Sequence, residues 1–69
     1  MINLSTFADA RTAFTSSGFF EMVDVDQIDA IARNVYRAAS GNGYVSDDDA
    51  SELFQSAIID ICGLDKSDF

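Results

Sequence analysis

The chain has 69 residues, 48% of them hydrophobic, and a formal charge of −8 from twelve acids and four bases. That length holds one domain, and that apolar fraction is too high for a disordered acidic tail. The excess negative charge repels nucleic acid and anionic membranes, so direct binding of DNA, RNA or lipid is not expected, whereas a basic protein surface is attracted.

A domain this small hides only about 60% of the surface of its unfolded chain. Covalent staples are absent: Cys62 is the single cysteine and there is no histidine to join it at a metal. Stability is therefore expected to rest on helix packing, with a partner or a second copy in a homodimer as the other source. Met1-Ile2-Asn3-Leu4 lacks the basic and apolar regions of a signal peptide, and no apolar run approaches membrane-spanning length. A lone thiol suits a reducing compartment, and the expected location is the cytoplasm.

No proline occurs, and Gly18, Gly41, Gly43 and Gly63 divide the chain into three helical segments. The first is predicted near residues 5–16, with Ser5 as N-cap and Phe7, Ala10 and Phe14 on one face. Gly18 ends it in the left-handed cap conformation. Phe19-Phe20-Glu21-Met22-Val23 follows as a strand-like connector or an extra helical turn.

Asp24 then caps a second helix near 24–39, with Gln27 three residues on in a capping-box pattern. Its apolar stripe is Val25, Ile28, Ala32, Val35, Tyr36 and Ala39, widened by Ile31. Asp26, Asp29, Arg33 and Arg37 fall mostly opposite, where Asp29 and Arg33 make an i,i+4 acid–base pair. Ser40-Gly41-Asn42-Gly43 reads as a turn, and Tyr44-Val45 as a brief extension. Ser46 caps a third helix near 47–62, whose first turn places Asp47, Asp48 and Asp49 where the helix dipole favours negative charge. Ala50, Leu53, Phe54, Ala57, Ile58 and Ile61 form its stripe; Gly63 closes it with Leu64 folding back, and a tail runs to Phe69. The expected fold is an all-α domain of three helices, with a strand-like contact between Phe19–Val23 and Tyr44–Val45. A faint echo between 13–20 and 38–45 reflects shared turn chemistry, not a repeat.

Ser40 to Asp49 looks like the second half of a calcium-binding EF-hand loop, with Gly43 at the sharp turn, Val45 at the short strand position and Asp49 as the final ligand. The first ligand position holds Ala38, and the next two hold neutral Ser40 and Asn42, so the residues do not make a calcium site. No metal or cofactor is expected. Acid–base catalysis lacks a histidine, and the paired carboxylates stand at exposed helix starts and not in the buried cleft such chemistry needs. An enzyme is not expected.

What stands out is charge. Glu21, Asp24, Asp26 and Asp29 crowd the start of the second helix; Asp47, Asp48, Asp49 and Glu52 crowd the start of the third. If the two helices are neighbours, these carboxylates line one surface and imitate the phosphates of a duplex in an arginine- and lysine-rich groove. Acids also belong at helix N-termini for local reasons. Phe19 and Phe20 are adjacent, and one of them, with Met22 or Tyr44, offers an apolar anchor. Cys62 reads as a small core residue.

In these two clusters, and in its size and acidity, the chain resembles phage-encoded inhibitors, including anti-CRISPR proteins and anti-restriction DNA mimics. The resemblance covers the whole chain in composition and rests on no motif. It implies a non-enzymatic inhibitor in the host-cell cytoplasm that blocks the nucleic-acid-binding or recruitment surface of a CRISPR or other nucleic-acid-handling complex. Two other readings are a degenerate EF-hand-like regulatory module and a small adaptor binding through apolar contacts.

Overall fold

The computed structural model describes residues 1–39, 43–65 and 67. The chain runs β1 (Ile2–Asn3), α1 (Phe7–Ser16), a 3₁₀ turn (Phe19–Met22), α2 (Val25–Ala38), β2 (Tyr44–Val45) and α3 (Asp47–Cys62). The all-α, three-helix expectation holds. Of the turn expected at 40–43, positions 40–42 lie outside the described residues, as do tail positions 66, 68 and 69.

Each helix starts where a side-chain oxygen takes an otherwise orphaned N–H. Thr6 Oγ1 accepts from the Asp9 N–H at 3.1 Å, and Ser46 Oγ from the Asp49 N–H at 3.2 Å. At α2 the Gln27 carboxamide reaches back and accepts from the Asp24 N–H at 3.3 Å, the reciprocal half of a capping box. The first cap falls on Thr6, not on Ser5. Ser5 is held elsewhere, because its N–H and hydroxyl both donate to Asn3 Oδ1, at 3.0 and 2.6 Å. Gly63 ends α3 at φ +73°, with its N–H on the Ile59 carbonyl at 3.0 Å, and Leu64 packs against the core behind it.

The strand-like contact forms with a different partner from the one expected. Tyr44–Val45 pairs antiparallel with Ile2–Asn3, Ile2 facing Val45 and Asn3 facing Tyr44. The Leu4 N–H extends this contact to the Gly43 carbonyl at 2.6 Å. Residues 19–23 cannot extend there because Gly18, at φ +89°, starts a 3₁₀ turn. Its bonds run from Glu21 N–H to the Gly18 carbonyl and from Val23 N–H to the Phe20 carbonyl.

Helix α2 packs against both α1 and α3 and buries Ile28, Ile31, Ala32 and Val35. Ile31 is therefore central, whereas Val25, expected in the stripe, is 78% exposed: as the first residue of α2 it lies beyond the end of the core. Tyr36 is likewise exposed at its edge. Phe14 meets Phe54 edge-on with ring centroids 5.5 Å apart, and Phe19 tilts against Phe54 from 6.1 Å. Leu4, Ala10, Ala39, Val45, Ala50, Ala57 and Ile58 complete the core.

These packings set a contrast that urea denaturation followed by circular dichroism can read. Phe54→Ala removes the ring shared by Phe14 and Phe19 and should cost about 3–5 kcal/mol, a large part of the stability of so small a domain. Val25→Ala should change stability by less than about 0.5 kcal/mol.

Candidate functional site

Helices α2 and α3 run antiparallel, as contacts at both ends of the pair show. At one end the Cys62 thiol of α3 donates to Gln27 Oε1 in the first turn of α2, at 3.3 Å. At the other, Ala38 and Ala39 of α2 face Asp49 and Leu53 of α3 across a shared hollow. The two acidic clusters, both at helix starts, therefore occupy opposite ends of the pair. Helix α3 has 16 residues, about 24 Å at 1.5 Å per residue. The expected single surface formed from both clusters does not exist.

Asp29 also leaves its cluster. Its Oδ1 accepts from Arg11 Nε at 2.7 Å, joining α2 to α1. The pairing of Asp29 with Arg33 expected from their spacing does not form. Arg33 instead lies over the Phe7 ring, 5.7 Å from its centroid. Both arginines reach across the helix interface because α1 packs on that side of α2. Glu21, Asp24 and Asp26 remain exposed around the start of α2.

Charge is then distributed unequally between helices. Helix α1 holds one acid and one base (Asp9, Arg11), and α2 two acids and two bases (Asp26, Asp29, Arg33, Arg37). Helix α3 holds five acids (Asp47, Asp48, Asp49, Glu52, Asp60) and no base. All five are exposed, and among the described residues none meets a base at ion-pair distance. Asp48, Glu52 and Asp60 fall on one row of the helix, four or eight residues apart, with exposed Ser56 between them. Helix capping accounts for Asp47, Asp48 and Asp49. It does not account for Glu52, repelled by Asp48 one turn before it, nor for Asp60 in the last turn, where the dipole disfavours an acid.

The two phenylalanines separate inside the 3₁₀ turn. Phe19 turns inward onto Phe54, while Phe20 stays exposed (37%), as do Met22 and Val25 shortly after it in the chain. Tyr44, on β2, is exposed elsewhere on the surface. Asp60 and Val25 escaped the sequence reading: Asp60 lies far in sequence from either cluster, and Val25 fits the helical stripe.

Among the described residues there is no group of three or more metal-ligating side chains. At the EF-hand-like segment, Gly43 takes the left-handed conformation at φ +69° and its carbonyl is occupied by the Leu4 N–H. Val45 pairs with Ile2, the chain's own N-terminal strand. No described helix is long and apolar enough to cross a membrane.

Cys62 is half-buried, and its thiol is pushed above the ordinary cysteine value, first by burial and then by the neighbouring Asp24 carboxylate. The folded protein therefore holds the thiol proton to higher pH than the unfolded chain. Above the unfolded pKa the unfolded state ionises first, and Cys62 then lowers stability as pH rises towards its folded pKa. Iodoacetamide at pH 8 should alkylate the native protein more slowly than the urea-unfolded chain, and Asp24→Asn should narrow that difference. Equal rates in the native and unfolded states would contradict both causes.

No protein-family model, no curated protein and no solved structure matches this chain.

Proposed function

We propose that the protein is a non-enzymatic binder that lays the acidic face of α3 against a basic, nucleic-acid-binding surface of a partner complex and so inhibits it, in the manner of anti-CRISPR proteins and DNA mimics. One observation carries this reading. The charge of α1 and α2 balances within each helix, and α3 has five exposed carboxylates with no base. Solubility alone would be served by acids spread over the whole surface. Concentration on one helix creates a directional field that speeds encounter with a cationic patch and weakens with salt. The acids at the start of α2 form a second, separate negative end.

A second reading rests on the exposed apolar group Phe20, Met22 and Val25, 37%, 39% and 78% exposed, at the opposite end of the helix pair from Asp47–Asp49. An adaptor docking through these side chains would bind with little dependence on salt.

A pull-down from host lysate, quantified across a salt series, separates the two. Capture through α3 should fall steeply as salt rises, and Asp47→Asn with Asp48→Asn and Asp49→Asn should weaken it about tenfold or more. The same triple change costs stability, about 0.3–1 kcal/mol for each first-turn charge, so its fold must be checked by circular dichroism. Capture that ignores both salt and the triple change, yet is lost with Met22→Ser and Val25→Ser, would replace the charged-face reading by the apolar one.

A further inference from the structure

A hollow of about 280 Å³ lies between the last turn of α2 and the first three turns of α3. Its floor is apolar, made by Ala39, Val45 and Leu53, and its edge carries Asp49, Glu52 and Ser56. We infer that this hollow receives one arginine side chain of the protein partner, a proposal that rests on the charged-face reading and names where its first contact is made.

Three features of the hollow select that occupant. Its volume falls below the range of ordinary small-molecule pockets and suits a single long side chain. Ala39 and Val45 close the bottom with almost no exposed surface, and half-buried Leu53 with exposed Ala38 offers the apolar surface that an aliphatic stem can cover. The two carboxylates stand three residues apart on α3, on one side of the helix, where a planar fork of N–H donors can meet both. The C-terminal end of α2 adds its partial negative charge from the facing wall. Arg37, in the same turn of α2, is exposed and makes no ion pair with either carboxylate, so the protein does not fill the hollow with its own described arginine. Asp48 carries the same charge as its neighbour Asp49 but lies outside the hollow. That makes it an internal control for charge without shape.

The test is an amide chemical-shift titration with acetyl-Gly-Arg-Gly-amide, repeated with lysine or with uncharged citrulline in place of arginine. The arginine peptide should give saturable shifts centred on Ala39, Val45, Leu53 and Ser56. Glu52→Gln should weaken it about fivefold or more and Asp48→Asn less than about twofold; citrulline should fail to saturate. The inference is overturned by equal losses for Asp48→Asn and Glu52→Gln, by citrulline matching arginine, by shifts centred elsewhere or by no saturable shift. Equal affinity for the lysine peptide would reject the guanidinium assignment. If the hollow fails while capture of the partner still falls with salt and with the α3 triple change, the acidic-face reading stands without it. If capture ignores both, that reading falls and takes the occupant's identity with it, whatever the tripeptide does.

Discussion

Phe14 and Phe54 meet edge to face, and most of the architecture follows from that contact. Helices α1 and α3 each pack chiefly on α2, so without a direct tie they would sit as two independent covers on a central rod. The ring pair, joined by Phe19 from the 3₁₀ turn, locks the covers to each other and closes the core on its third side. A domain of 69 residues has few such contacts to spend. That scarcity explains why Ile2 and Leu4 of the N-terminal segment are also drawn in, with Leu4 buried beneath the β1–β2 pair.

The same packing decides where charge can act. An antiparallel α2–α3 hairpin sends its two helix starts to opposite ends, so acids placed for capping are separated by the length of a helix. What the fold does concentrate is the side of α3 turned away from the core. The stripe Ala50, Phe54, Ala57 and Ile58 faces inward, and Asp48, Glu52 and Asp60 are thereby forced outward. Two of the three arginines of α1 and α2 join those helices to each other, Arg11 on Asp29 and Arg33 on Phe7, and Arg37 stays exposed. Neither contact is worth much as an exposed pair. Together they tie α1 to α2.

Much of this was legible in the residues. Asp24 with Gln27, Ser46 with Asp49, and Gly63 after Cys62 are signals completed within four residues, so local hydrogen bonding decides them and the helix limits follow. The inward stripes of α2 and α3 were legible for a similar reason: a period of 3.6 survives any tertiary arrangement. Val25 was misplaced because periodicity assigns a face and says nothing of where the core stops along the axis. Ser5 was misassigned as a cap because Asn3, two residues before it, competes for the same hydroxyl.

The β1–β2 pair joins residues more than forty positions apart; the extended character of Tyr44–Val45 was legible, but its partner left no trace beyond the alternation of Ile2 and Leu4 around Asn3. Such a pairing depends on how α1, α2 and α3 pack, which sets Tyr44–Val45 beside the N-terminal strand. The acidic excess and its largest helical share, five acids without a base on α3, belong to the sequence itself, because they are counts along a helix whose limits local chemistry defines. The separation of the two clusters, the loss of Asp29 to Arg11, and the hollow beside Asp49 and Glu52 belong to the tertiary structure alone. Each depends on which helix faces which, and that is settled by the shared burial of Phe14, Ile31 and Phe54, not by any local preference.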